Sequence, residues 1–106
     1  VARAQQLIHS RLFRPPYGRL TRSQERKIMA PPYGLIPVMW TVLSGDFDLS
    51  ITPEQCLNNV LRYAGNGSII VFHDSEKAGD KIRYALPLVL EHFASAGFVF
   101  RRIEIA

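Results

Sequence analysis

Two nearly continuous apolar runs, Ile36 to Leu43 and Ser68 to Phe72, flank a segment that opens as Thr52-Pro53-Glu54-Gln55, and this order limits the available folds sharply. Thr52 is suited to cap a helix, Pro53 to occupy its first position, and Gln55 to close a capping box, so a helix is expected from there to about Ala64. Gly65-Asn66-Gly67 stops it. Apolar runs without alternation are the mark of strands covered on both faces, with Pro37 at the start of the first. Beyond them, Ile82, Ala85, Leu86, Val89, Leu90, Phe93 and Ala94 share one helical face, Gly97 ends that helix, and Phe98 to Ile105 predicts a third strand. Pro87 implies a kink or a delayed start near Leu86. Strand, helix, strand, helix, strand with short connections makes an α/β fold of parallel strands alternating with helices. Parallel strands place their carboxyl ends on one rim, where such folds gather their chemistry.

The first third of the chain is less regular. Val1, Ala4, Leu7 and Ile8 have helical spacing, so Val1 to Ser10 reads as the last turns of an amphipathic helix. Phe13-Arg14-Pro15-Pro16-Tyr17-Gly18 follows, a stiff corner beside a permanent cation. A guanidinium can grip a carboxylate with two prongs, which makes a carboxylate the natural partner of Arg14; a solvated loop arginine is the plain alternative. Thr21 and Gln24 form a second capping box, predicting a short helix to about Met29. Pro31-Pro32-Tyr33-Gly34 repeats the corner without its arginine, and reads as a helix-to-strand turn rather than a duplicated site.

Composition narrows the partners. With 106 residues, 47% hydrophobic and 21% charged, the chain has room for one domain. The net charge of +4 is scattered rather than gathered in a basic stripe, and the aromatics fall inside apolar runs, which argues against a nucleic-acid partner. No apolar run reaches the ~18 residues that span a bilayer, and no signal peptide is recognisable; the compartment stays open. Cys56 is the sole cysteine and reads as a small core residue rather than a nucleophile.

Two polar clusters fall at the expected rim, Ser44-Gly45-Asp46-Phe47-Asp48 and His73-Asp74-Ser75. Imidazole titrates nearest neutral pH, so His73 beside Asp46 would make a general acid, whereas alone it would be an ordinary hydrogen-bonded histidine. Asp46, Asp48 and Asp74 each have a plainer reading as turn residues. His9 and His92 fit solvated helix faces. No pair of histidines or cysteines has the spacing of a metal site, and neither Ser44 nor Ser75 lies in a Gly-x-Ser-x-Gly elbow.

Arg14-Pro15-Pro16-Tyr17-Gly18, then Trp40 through Asp46-Phe47, then Ile70-Val71-Phe72-His73-Asp74 resemble the third, fourth and fifth motifs of the polysaccharide deacetylases, carbohydrate esterase family four. Ala85-Leu86-Pro87 and Gly97-Phe98-Val99-Phe100 are similar to that family's ending. The resemblance implies the carboxyl-terminal half of a distorted (β/α) barrel, with residues 1–106 as one partial catalytic domain. It implies a hydrolase that uses a divalent metal, usually zinc, to remove N-acetyl or O-acetyl groups from sugars.

Under the same resemblance Arg14 would orient the aspartate that acts as base, the Tyr17 backbone N–H would help to hold the oxyanion, and Asp46 would partner His73 as the general acid. Phe47, where the family usually has Trp, and Val71, where it usually has Leu, would line a pocket for the acetyl methyl. Leu43 stands at a position that is often acidic. The family's first and second motifs, which carry the base and the metal ligands, do not occur in this sequence, so no metal is expected on this chain alone. Uncovered faces of half a barrel would favour self-association. A non-catalytic module that binds carbohydrate or another protein is the alternative.

Overall fold

A computed structural model describes residues 9–15 and 18–104, which fall into two compact units, Val1–Met39 and Trp40–Ala106. The helix expected over Val1 to Ser10 falls almost wholly outside the described residues.

In the first unit, strand β1 (Leu12–Phe13) pairs in parallel with β2 (Ile36–Pro37), Leu12 opposite Ile36 and Phe13 opposite Pro37. Helix α1 (Arg22–Met29) lies between them in sequence. Its start follows from the capping box: Gln24 N–H donates to Thr21 Oγ1 at 3.1 Å and Thr21 N–H donates to Gln24 Oε1 at 3.0 Å, satisfying two donors that a helix start leaves orphaned. Pro31-Pro32-Tyr33-Gly34 makes the helix-to-strand turn that its composition predicts. Tyr33 and Gly34 N–H both donate to Ala30 O at 3.1 Å, and Leu35 N–H donates to Ile28 O, which buries Leu35 against the end of the unit's helix.

The second unit repeats the order strand, helix, strand, helix. Strand β3 (Val42–Leu43) pairs in parallel with β4 (Ile70–Val71), Val42 opposite Ile70 and Leu43 opposite Val71, and α2 (Pro53–Tyr63) connects them. Thr52 and Gln55 close the second capping box at 3.0 and 2.8 Å, with Pro53 in the first turn. Helix α3 (Gly79–Ser95) packs on α2 around a core of Val60, Val89 and Phe93, joined by Leu57, Leu61, Ala64, Ile70 and Phe72.

Three expectations require correction. The run Ile36 to Leu43 is not one strand covered on both faces: its ends pair with different neighbours, β2 with β1 and β3 with β4, and Met39 and Leu43 are exposed. Ile36 and Val38 N–H face β1, on Arg11 O and Phe13 O, while Pro37 between them leaves the opposite edge without a donor; the next pairing is Thr41 N–H on Ile69 O. Pro87 does not delay α3, which begins at Gly79 and runs through it. Nor does a third strand form over 98–104: those described residues have no ladder.

The end of α3 supplies the reason for the last of these. Phe98 N–H donates to Phe93 O at 2.9 Å and Gly97 N–H to Ala94 O at 3.1 Å, with Gly97 at φ 90°, a Schellman termination. The Phe98 ring then meets Phe93 edge-on at 5.3 Å, folding the chain back on the helix end. Val99 and Phe100 have strand propensity, but among the described residues they join neither two-stranded sheet, and both are exposed.

Candidate functional site

Because β3 and β4 run parallel with Leu43 opposite Val71, the residues that follow each strand emerge at the same end. Ser44 N–H donates to Val71 O at 3.3 Å, carrying the pairing one residue past β3. The chain then turns at Gly45, whose φ of 81° lies in the left-handed region that a side chain opposes. A Cβ there would stand 3.0 Å from Ile51 Cδ1 and 3.2 Å from Asn59 Nδ2, so both conformation and space call for glycine.

That turn delivers Asp46 to His73. Asp46 is fully buried; its Oδ2 accepts the His73 backbone N–H and its Oδ1 lies 2.7 Å from His73 Nδ1. A carboxylate at this distance assigns the proton of the neutral imidazole to Nδ1 and leaves Nε2 as the nitrogen that can gain or release one. The His73 side chain is 43% exposed, so the pair is anchored at one end and open at the other. Phe47, itself 40% exposed, sets its ring edge-on to the imidazole at 5.4 Å and 73°. This removes rotational freedom from the ring and covers one of its sides with apolar surface.

Val71 is buried in β4, two residues before His73. The second unit thus brings together Asp46, Phe47, Val71 and His73. Arg14 belongs to the first unit, exposed just after β1. Tyr17 lies outside the described residues. Asp48 serves its own turn: Ser50 donates to Oδ1 through its hydroxyl at 2.6 Å and its N–H at 2.9 Å. Those bonds, helped by the cations of Lys81 and Lys77, hold its carboxyl below the usual aspartate range. Asp74 and His92 are exposed, and Ser75 Oγ accepts Ala78 N–H ahead of α3.

Three residues around this site were not singled out as supports from the sequence. Ser44 is fully buried and its Oγ accepts the Asp46 N–H at 3.2 Å. Asn59, on α2, donates to Ser44 O at 3.0 Å. Lys81 is 7% exposed, in the first turn of α3. A signal existed for the last: Lys81 precedes Ala85, Val89 and Phe93 at four-residue steps, which is the buried stripe of that helix. Cys56 is wholly buried, as a core residue should be; burial pushes its thiol upward, against a smaller opposing effect of its hydrogen bond with Ser44.

Among the described residues no group of three His, Cys, Asp or Glu side chains could hold a metal ion. None of the described helices is long and apolar enough to cross a membrane. An open groove of about 720 Å³ is lined by Ile70, Phe93, Phe98, Phe100 and their neighbours, at the start of β4 rather than at its carboxyl end. It contains neither Asp46 nor His73, and it offers no comparable pair of titrating groups.

The chain is 28% identical over 93 residues to a bifunctional xylanase/deacetylase from Pseudobutyrivibrio xylanivorans, an alignment covering 88% of this chain and 14% of that protein. It is also similar to the solved structure of a family 4 carbohydrate esterase from Streptomyces lividans in complex with acetate. That match has a TM-score of 0.62 and 34% identity, over 85% of this chain and 49% of the other. The chain therefore spans about half, or less, of the length of these relatives. No family model matches it.

Proposed function

The chain is related to the polysaccharide deacetylases of carbohydrate esterase family 4, and from that premise we propose that it is the carboxyl-terminal part of a hydrolase removing acetyl groups from sugars. The observation that carries the proposal is the buried Asp46 carboxylate on Nδ1 of a half-exposed His73. In the barrel proposed for the whole protein, β3 and β4 are neighbouring staves and this pair sits on their carboxyl-end rim.

His73 is the general acid in this reading. Hydrolysis of an acetamide expels an amine, a poor leaving group unless a proton reaches it as the C–N bond breaks; an acetate ester makes the same demand of its alkoxide. Nε2 supplies that proton, and the imidazolium from which it comes is stabilised by Asp46 across the 2.7 Å contact, where burial strengthens the attraction. Phe47, exposed beside His73, and the buried Val71 beneath are assigned to the wall that meets the acetyl methyl. Arg14 is assigned to orient the aspartate base, and the Tyr17 N–H to the oxyanion; that aspartate is not among the residues of this chain. A divalent metal, zinc in this proposal, belongs to the whole protein. The described residues do not by themselves fit one, and no step here runs through it.

Acetate release from N-acetylated and O-acetylated oligosaccharides by the native full-length protein is the test. His73→Ala is expected to lower kcat by about 10² to 10⁴, the range of a positioned general acid, with a smaller change in KM. Turnover that survives both His73→Ala and Asp46→Asn would sink the assignment, while saccharide affinity without any acetate release would replace the enzyme with a binding module.

A further inference from the structure

Asp46 does not hold its own position. Its carboxylate is spent on His73, through the backbone N–H and Nδ1, so the turn that presents it needs ties of its own. Those ties run through Ser44. The Ser44 hydroxyl accepts the Asp46 N–H at 3.2 Å, its N–H is held by Val71 O at 3.3 Å, and its carbonyl takes the Asn59 amide at 3.0 Å. Cys56, one helical turn before Asn59 on α2, is fully buried in the same cluster as Ser44. Ser44 is fully buried and Asn59 half-buried, so the hydroxyl tie to Asp46 is shielded from water and the amide tie partly so. Asn59 Nδ2 also closes the space beneath Gly45, where an added Cβ would stand 3.2 Å away.

We propose that Ser44, braced from α2 by Asn59, is the positioning residue that fixes the Asp46 carboxylate on His73 Nδ1. Neither touches the reacting atoms. Each acts through Asp46: the turn can tilt only if the Asn59 amide releases the Ser44 carbonyl or the hydroxyl releases the Asp46 N–H, and a tilt moves both carboxylate oxygens off their donors. The catalytic consequence rests on the deacetylase reading; the structural one does not.

The test therefore carries two readouts on the native full-length protein. Nitrogen-15 and proton spectra of the His73 imidazole report the Nδ1–H bond to Asp46, and acetate release reports catalysis. In Ser44→Ala and Asn59→Asp, where a donor amide becomes a second acceptor facing a carbonyl, the low-field Nδ1 proton should be lost. In both, kcat should fall by roughly 10² with KM nearly unchanged, the penalty of a small misplacement. Ser44→Thr keeps the accepting hydroxyl and should retain the proton signal. An unchanged signal in folded Ser44→Ala and Asn59→Asp would overturn the proposal, as would its loss in folded Ser44→Thr. If Ser44→Ala does not fold, Asn59→Asp decides on the same signal. A wild-type protein that releases no acetate but loses the signal in these variants would leave the positioning role standing and reject the hydrolase.

Discussion

At the scale of single residues, the second unit keeps its polar groups out of water only where each has a partner. Asp46 and Ser44 are fully buried and both are hydrogen-bonded, and no buried side-chain nitrogen or oxygen among the described residues lacks a partner. Cys56 belongs to the same cluster, and its raised thiol pKa has a consequence for stability. In the unfolded chain a cysteine loses its proton near pH ~8.5, while in the fold it stays protonated to higher pH. Between those two values the folded state binds more protons than the unfolded one, so stability falls as pH rises. Urea midpoints should therefore decline from pH 7 to pH 9.5, and the decline should be smaller in Cys56→Ala even though the variant is less stable throughout. Equal declines in the two proteins would show that some other group titrates.

Elements were legible in the sequence in proportion to how local their causes are. Both capping boxes, Thr21 with Gln24 and Thr52 with Gln55, could be read because each is complete within four residues, and so could the Gly97 stop. Strands were harder, because a strand is defined by an edge elsewhere in the chain. The run Ile36 to Leu43 has uniform composition yet two partners, and Val99-Phe100 has the composition of a strand and no ladder. The site divides in the same way. Asp46 and His73 could be placed together because parallel neighbours share a rim; the Asn59 tie to Ser44 could not, since it depends on how α2 seats against the loop. Thr52 offers a test at this scale. Replacing it with Ala removes one half of the box and should cost about 1 kcal/mol in urea unfolding. Because α2 carries Asn59, the low-field His73 proton should also broaden in Thr52→Ala, and a sharp, unshifted signal would mean that the first turn of α2 does not brace the site.

At the scale of the whole molecule, the chain leaves much of its apolar surface uncovered. Leu88, Leu90, Phe98, Val99, Phe100 and Ile103 are all at least 37% exposed, and they come from the second half of α3 and the segment that follows it. The β3–β4 sheet has only two strands, too few to be stable without a helix packed on it, so α2 and α3 carry most of the second unit's cohesion. An isolated helix–helix unit of this kind gains by covering the remaining face, and without another segment the available cover is a second copy. The 106 residues expressed alone should consequently show a mass that rises with concentration in sedimentation experiments and should bind an apolar dye. Val99→Lys with Phe100→Asp, both on exposed positions, should shift the mass toward the monomer while leaving the α2–α3 core and its far-ultraviolet helical signal intact. A monomer at all concentrations that binds no dye would mean that this surface is tolerated in water. The proposed barrel would then lose the argument that these residues are shaped to meet further strands.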